Sequence, residues 1–230
     1  MKNIQNKKKE KNINRTKKCV IVLSGGPDSA TVAYWAKAHG YQIYPITFNY
    51  GQIAVKETKV AQQIASALGT TTKIINLSAL KEIFGDVTSL CNADIPLTEK
   101  FSAPIIVPFR NAVFLSVAVA YAVAVGADKI FYGAQGSDEP FYPDCRREFY
   151  EAFEKAARLG TGGEIIIKAP FSGGKKSDLI REGAKLGVPF ELTWSCYRDE
   201  AKHCGRCESC LNRKRAFQEA RVADPTNYET

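Results

Sequence analysis

A chain of 230 residues, 45% of them hydrophobic, can bury one substantial core but is too short for two large domains. The net charge of +8 is unevenly spread, because residues 1–18 carry eight Lys and Arg and one Glu and account for +7 of it. The rest of the chain is nearly neutral, which argues against a domain that covers an RNA backbone, so we expect the core to bind no nucleic acid. The segment 1–18 lacks apolar periodicity, and we expect a basic disordered tail there.

The sequence contains no uninterrupted apolar run of the ~20 residues that a membrane-spanning helix requires. The most apolar segment, Val113 to Ala127, is shorter and rich in alanine, which favours a buried helix over a membrane span. The N-terminal segment does not resemble a signal peptide. We therefore predict a cytoplasmic protein without a membrane partner.

Short apolar segments alternate with helical segments along the chain. The predicted strands are 19–23, 42–48, 72–77 and 128–133, and the predicted helices are 28–38, 53–68, 111–126, 146–159, 176–186 and 211–220. This alternation predicts an α/β fold with a mainly parallel sheet, helices on both faces and right-handed crossovers. Residues 80–110 are interrupted by glycine and proline, so we predict a long connection that is either a flap over the active site or a surface excursion.

The first predicted strand leads directly into the sequence SGGPDS. A glycine-rich turn between a strand and a helix directs unpaired backbone N–H groups and the positive end of the helix dipole at one anion site. Glycine lets the backbone approach a phosphate closely, and serine adds a hydroxyl donor. The segment lacks the Lys of a Walker A loop, and it resembles the pyrophosphate-binding loop of the PP-loop ATPases. The expected ATP-binding residues are Leu23, Ser24, Gly25, Gly26, Pro27, Asp28, Ser29 and Ala30.

Four of the seven cysteines, Cys196, Cys204, Cys207 and Cys210, lie within fifteen residues near the end of the chain. Four thiolates can close a tetrahedral shell around zinc, and short CxxC steps bring sulfur atoms to one centre, so we predict structural Zn²⁺. An iron–sulfur cluster is an alternative, because it also takes four cysteines. Disulfides are a weaker alternative in a cytosolic protein. His203 adjoins this cluster, and we expect it to be a bystander because four cysteines suffice.

The loop SGGPDS and the motifs TWSCY (193–197) and HCGRCESC (203–210) together resemble the 7-cyano-7-deazaguanine synthases, the QueC-type enzymes of queuosine and archaeosine biosynthesis. YGQ (50–52), VPFRN (107–111) and YPDCR (142–146) agree with that pattern. The resemblance covers about residues 19–220. The chain departs from the family at Phe109, where glycine is usual, and at 137–141, and both departures are expected near the substrate pocket.

The resemblance implies a Rossmann-like adenine-nucleotide hydrolase fold. Its divisions are a PP-loop ATPase domain at 19–190, a zinc-binding segment with the C-terminal helix at 191–220, and a tail at 221–230. It also implies that the protein acts as a homodimer. The rival classes are a PP-loop tRNA-modifying enzyme, of the thiolase or lysidine synthetase type, and a QueC-like enzyme that modifies a protein.

The implied reaction converts 7-carboxy-7-deazaguanine and ammonia into 7-cyano-7-deazaguanine, with adenylation first of the carboxylate and then of the amide. Such transfers depend on positioning and charge neutralisation by protein groups and by the Mg²⁺ that accompanies ATP. Asp28 would either serve this metal or cap its helix. Arg110, with its neighbour Asn111, would bind the substrate carboxylate or the phosphates. Asp138 and Asp144 are candidates to accept hydrogen bonds from the guanine-like edge of the substrate.

Overall fold

A five-stranded parallel sheet runs through the centre of the protein, whose computed structural model describes residues 16–229. In chain order the strands are β1 (Lys18–Val22), β2 (Gln42–Asn49), β3 (Lys73–Asn76), β4 (Lys129–Phe131) and β5 (Ile166–Lys168). They lie side by side in the order β3-β2-β1-β4-β5, so the direction of winding reverses between β1 and β4. The predicted disordered tail, 1–18, lies outside the described residues except for its last three.

Helices cover both faces of this sheet. The α-helices of the described chain are α1 (Pro27–Ala38), α2 (Lys56–Ala67), α3 (Lys81–Phe84), α4 (Arg110–Val125), α5 (Arg147–Thr161), α6 (Lys176–Lys185) and α7 (Glu208–Ala220). Successive side chains of a strand point to opposite faces, so Ile21 of β1 enters one core and Val20 the other. The first core is closed by α1, α2, α6 and α7, and the second by α4 and α5.

The predicted α/β architecture is confirmed, and each predicted strand and helix has a counterpart whose ends differ by at most three residues. The sequence analysis missed β5, which pairs with β4 at the edge of the sheet. A strand of three residues is too short to show a periodicity, and its pairing with β4 defines it instead.

Helix α4 is buried on one face only, which corrects the expectation of a buried helix. By length and composition alone, the segment Ala103–Val125 could cross a membrane, and 39% of its most apolar stretch of 18 residues is buried. Leu115 and Ala118 lie in the core beneath the helix, while Val123 on the other face is 54% exposed. The reason is that α4 packs as a single outer layer against the sheet.

The connection 80–110 contains the short helix α3 and little other regular structure. It has its own buried polar contacts, because the hydroxyls of Thr88 and Ser89 both donate to the carbonyl of Pro104, at 2.9 and 3.0 Å. Leu90 and Phe101 of this segment line the cavity described below. The connection therefore forms a wall of that cavity, as the flap interpretation predicts.

The stretch 221–230, described from sequence as a tail, packs on the domain over its described residues. Asp224 accepts hydrogen bonds from the fully buried Arg213 of α7 and from the hydroxyl of Tyr228, at 3.1 and 2.6 Å. Arg213 also donates to Thr193 Oγ1 at 2.7 Å. A buried guanidinium needs a carboxylate partner, and this segment supplies it.

Candidate active site

The segment SGGPDS forms a tight loop between β1 and α1. Gly25 has a φ of +89°, and a Cβ atom there would lie 2.8 Å from the carbonyl oxygen of Glu57, so both backbone and space require glycine. Ser29 Oγ accepts from the backbone N–H of Ser24 at 3.2 Å and donates to the carbonyl of Gly26 at 3.1 Å. The loop is thus held by its own hydroxyls and by the first turn of α2.

The loop opens into a cavity of about 630 Å³ beyond the carboxyl ends of β1, β2 and β4. This is the point where the winding of the sheet reverses, which is the usual ligand site of open parallel sheets. The N-terminal turns of five helices line the cavity, with Asp28 of α1, Glu57 of α2, Arg110 of α4, Lys176 of α6 and Glu208 of α7. Helix N-termini favour anionic ligands, so the arrangement suits a substrate with phosphate groups.

The predicted loop residues divide into two groups in the structure. Those that line the cavity are Leu23, Ser24, Gly26, Pro27, Asp28 and Ser29. Gly25 packs against α2, and Ala30 is fully buried in the core behind the loop. The four predicted substrate residues, Arg110, Asn111, Asp138 and Asp144, all line the same cavity.

Asp28 forms an ion pair with Lys176, with Oδ2 and Nζ 2.8 Å apart. Burial opposes the charge of Lys176, but Asp28 and Asp138 outweigh it and raise the pKa of the ammonium above its ordinary value. The other carboxylate oxygen of Asp28 is buried and has no hydrogen-bond partner among the described residues. The ion pair therefore places the ammonium group of Lys176 and the unpaired Oδ1 of Asp28 beside the loop.

Lys176 was missed by the sequence analysis, although a signal was present. It follows the sequence SGG at 172–174, a second glycine turn before a helix, with Gly173 at a φ of +83°. A Cβ atom on Gly136 would lie 2.9 Å from the carbonyl oxygen of Gly174, so this turn lies close to the chain that follows β4. Without β5 the second turn could not be recognised as the end of a strand.

Arg110 lies in a cluster with Tyr50 and Glu57 on another side of the cavity. Its Nη1 donates to the hydroxyl of Tyr50 at 3.0 Å. Burial raises the pKa of Tyr50 to about 12, so that this hydroxyl stays protonated. Burial also raises the pKa of Glu57 to about 7, and the charge of Arg110 acts in the opposite direction. Nothing in the sequence pattern had pointed to Glu57.

Asp144 and Asn111 are bonded to each other at the start of α4. Asp144 Oδ2 accepts from the backbone N–H of Asn111 at 3.0 Å, which satisfies one of the free donors of the helix N-terminus. Asp138 accepts a hydrogen bond from Gln135 Nε2 at 2.8 Å, and burial raises its pKa to about 7. Asp144 is thus bonded to the N-terminus of α4, whereas Asp138 is bonded to the side chain of Gln135.

The two departures from the family pattern have different consequences. Phe109 has left-handed backbone, with a φ of 57°, and its ring is 66% exposed and does not line the cavity. Phe109 therefore lies beside the cavity, next to Arg110, as expected, but its side chain faces solvent and it contributes backbone geometry before α4. The second departure is the stretch 137–141, and three of its side chains line the cavity: Ser137, Asp138 and Phe141.

The four clustered cysteines are buried and their sulfur atoms lie within 4.8 Å of one another. Backbone N–H groups of Arg198 and Cys207 donate to the sulfur atoms of Cys196 and Cys204, at 3.4 and 3.3 Å. Such bonds stabilise thiolates, the form that binds metal. The donor set therefore fits a metal ion with four sulfur ligands.

His203 is packed beside the cysteine cluster without joining it. Its Nε2 accepts from the backbone N–H of Ser195 at 3.0 Å, and its ring lies 4.0 Å from that of Trp194. Burial lowers the pKa of His203 to about 4, which keeps the ring neutral and able to accept this bond. The position agrees with the predicted bystander role.

The cysteine segment also forms a wall of the cavity. Glu208, between two of the cysteines in sequence, accepts hydrogen bonds from Tyr197 Oη at 2.8 Å and from Asn212 Nδ2 at 3.1 Å, and all three side chains line the cavity. The backbone N–H of Trp194 donates to the carbonyl of Gly25 at 3.0 Å. The cysteine segment and the glycine loop are therefore joined directly.

A family model described as Queuosine biosynthesis protein QueC matches residues 18–221. The chain belongs to the QueC family. It is 41% identical over 215 residues to the 7-cyano-7-deazaguanine synthase of Caldicellulosiruptor bescii, a match that covers 92% of this chain and 97% of that relative. It is 42% identical over 222 residues to the 7-cyano-7-deazaguanine synthase of Thermoplasma acidophilum, with coverages of 93% and 92%.

A solved structure supports the fold of this QueC-family chain. The structure of a 4-thiouridine synthetase in complex with RNA and bound ATP matches with a TM-score of 0.57 and 18% identity. The match covers 89% of this chain and 50% of that one. At this identity the likeness concerns the fold alone, and it supports the α/β architecture with a central parallel sheet.

Proposed function

We propose that the protein is an ATP-dependent 7-cyano-7-deazaguanine synthase that converts 7-carboxy-7-deazaguanine and ammonia into the nitrile. The observation that carries the proposal is the direct hydrogen bond between the SGGPDS loop and the TWSCY motif, which brings the two most informative motifs into one cavity. A cavity of about 630 Å³ lies in the usual range for small-molecule sites. The family of the chain supports the same reaction.

The chemical problem is that a carboxylate is a poor electrophile, because its charge repels nucleophiles and its leaving group would be oxide. Transfer of AMP to the carboxylate oxygen creates a good leaving group and releases pyrophosphate. Ammonia then displaces AMP to form the amide. A second adenylation, on the amide oxygen, allows loss of AMP with formation of the nitrile.

We assign ATP to the loop side of the cavity. Backbone N–H groups at the start of α1, with the hydroxyls of Ser24 and Ser29, hold the pyrophosphate that leaves. Lys176 adds the positive charge that a Walker A lysine supplies in other ATPases, from a position 148 residues after Asp28. The free carboxylate oxygen of Asp28 suits Mg²⁺, which neutralises phosphate charge when it is bound with ATP.

We assign the substrate to the remaining walls. Arg110 binds the carboxylate that is to be adenylated, because a guanidinium matches a carboxylate in charge and geometry. Asp138 reads the guanine-like edge, whose N–H groups are donors that a carboxylate accepts. Asn111 and Asp144 complete the wall beside Arg110.

The test is a comparison of ATP turnover with three acceptors: the free deazapurine carboxylate with ammonia, tRNA, and none. Turnover only with the free carboxylate, with amide and then nitrile detected by mass, is the expected result. Stimulation by tRNA alone would support the RNA-modifying rival instead. AMP and pyrophosphate are the expected nucleotide products, and ADP alone would exclude adenylation.

We infer that the metal of the cysteine cluster is a structural Zn²⁺ held by Cys196, Cys204, Cys207 and Cys210. Its four sulfur ligands leave no position for substrate, so its contribution is to fold the segment that closes the cavity. Elemental analysis of the purified protein tests the assignment, with one zinc per chain as the expected result. Iron with absorbance in the visible range would establish the iron–sulfur alternative.

We also propose that the protein acts in the cytoplasm as a homodimer. The outer face of α4 presents Ala120, Val123 and Ala124 without any charged side chain, and an apolar face of this kind suits a second copy of itself. Sedimentation of the protein and of a Val123→Glu variant tests this, with a dimer that dissociates in the variant as the expected result. A monomer at micromolar concentration would contradict the proposal.

A further inference from the structure

Glu57 is a carboxylate in the cavity that the proposed binding of ATP and substrate leaves without a role. It lies in the first turn of α2, and its backbone carbonyl is the atom that a Cβ on Gly25 would meet at 2.8 Å. Its side chain lines the same cavity as Arg110 and the loop serines. The residue therefore stands between the pyrophosphate loop and the guanidinium to which we assign the reacting carboxylate.

The charged groups around Glu57 differ from those around Asp138, the other acid of the cavity whose pKa is raised by burial. Arg110 from α4 and the amide of Gln52 lower the pKa of Glu57, whereas Asp199 from the cysteine segment raises it, and Tyr50 is the nearby phenol. Burial outweighs these groups and raises the pKa of Glu57 to about 7. A carboxylate of this strength accepts a proton near neutral pH, whereas an ordinary exposed Glu is too weak a base.

Asp138 is the competing candidate for the same task. The charged groups that act on it are Lys176, Asp28 and Glu208, so it belongs to the phosphate and heterocycle side of the cavity. Its Oδ1 is also engaged by Gln135. These charged neighbours therefore favour Glu57 as the acid on the Arg110 side of the cavity, to which we assign the reacting carboxylate.

We propose that Glu57 is the general base that removes protons from the reacting nitrogen, in both amide and nitrile formation. The assignment rests on the proposed function. It adds a catalytic residue to the binding residues assigned above, and it concerns the steps that follow adenylation.

In amide formation, the lone pair of ammonia forms a bond to the carbonyl carbon of the acyl adenylate. Glu57 takes a proton from the resulting ammonium nitrogen, the carbon–oxygen bond to AMP breaks, and AMP leaves with that electron pair. In nitrile formation, adenylation of the amide oxygen leaves a cationic nitrogen with two N–H protons. Glu57 takes the first, which gives the neutral O-adenylated imidate, and after passing it to solvent takes the second. The N–H electron pair then becomes the third carbon–nitrogen bond as AMP leaves. In both steps Glu57 passes its proton to solvent.

The experiment compares Glu57→Gln with the unmodified protein in two assays. The first is exchange of pyrophosphate into ATP in the presence of the carboxylate substrate without ammonia, which reports adenylation alone. The second is formation of amide and nitrile. We expect the exchange rate to stay within about twofold and product formation to fall by about 10²-fold or more, the usual contribution of a general base.

The pH dependence and two further variants sharpen the test. The base must be deprotonated, so at a fixed concentration of unprotonated ammonia the turnover of the unmodified protein should rise with pH through about 7, and this rise should be absent in Glu57→Gln. Glu57→Asp should restore part of the rate. Glu82→Gln makes the same chemical change at an exposed carboxylate on α3 and should leave both assays unchanged.

Two results with Glu57→Gln would overturn the proposal: unchanged product formation, or an equal loss of exchange and product, which would mean that Glu57 serves binding or adenylation. Loss of product without loss of exchange supports it and shows that the variant is folded. Absence of carboxylate-dependent exchange in the unmodified protein would instead refute the proposed function, before any variant is considered.

Discussion

The two glycines of the SGGPDS loop should respond in opposite ways to the same substitution. Gly25 has a φ of +89°, and a Cβ would meet Glu57 O at 2.8 Å and Val60 Cγ1 at 3.1 Å. Gly26 has a φ of −74°, and the nearest atoms to its Cβ position, Ser24 Oγ and Trp194 O, are 3.7 Å away. Alanine is therefore strained at the first position and accommodated at the second.

The magnitudes follow from these contacts. For Gly25→Ala, left-handed backbone costs about 1–2 kcal/mol and an overpacked contact about 1–3 kcal/mol, so we expect a loss of roughly 2–5 kcal/mol. In a domain of this size that lowers the midpoint of thermal unfolding by at least about 4 °C. For Gly26→Ala, the lower entropy of the unfolded chain makes stability equal or higher by up to about 1 kcal/mol.

ATP binding should be affected by the substitution at Gly26, which the fold tolerates. The Cβ of Gly26→Ala faces the cavity where phosphate must approach the backbone, so ATP affinity should fall while the fold remains intact. Thermal unfolding without ligand measures the first effect, and the KM for ATP measures the second. An unchanged unfolding midpoint for Gly25→Ala, or an unchanged KM for Gly26→Ala, would refute this account of the loop.

Three further predictions concern other parts of the molecule. Lys176→Met should reduce turnover by about 10²–10³-fold, because it removes a phosphate-binding charge, while Lys185→Met at the exposed end of α6 should not. Cys207→Ala should lower the metal content and the unfolding temperature, whereas Cys91→Ala, a buried cysteine outside the cluster, should keep the metal in elemental analysis. Phe109→Gly should leave the KM of the deazapurine substrate unchanged, since the ring lies outside the cavity, and a changed KM would contradict that placement.

The local patterns of the chain were sufficient for its class and its two principal motifs. An apolar strand followed by SGGPDS predicts an anion loop because strand, turn and helix N-terminus are neighbours in sequence. The cysteine cluster could be predicted for the same reason, since Cys204, Cys207 and Cys210 are separated by single turns of chain. The alternation of strands and helices is likewise a local signal, and it predicted the parallel sheet.

Contacts between distant segments required the tertiary structure. Lys176 forms an ion pair with Asp28 across 148 residues, and Glu57 of α2 and Arg110 of α4 line one cavity. No periodicity of the sequence predicts such contacts between distant residues, because they depend on the order of strands in the sheet and on the short strand β5. Phe109 is a similar case. The sequence showed that this residue is unusual for the family, but only the structure showed its left-handed φ and its exposed side chain, which indicate a role in the backbone and not in the pocket.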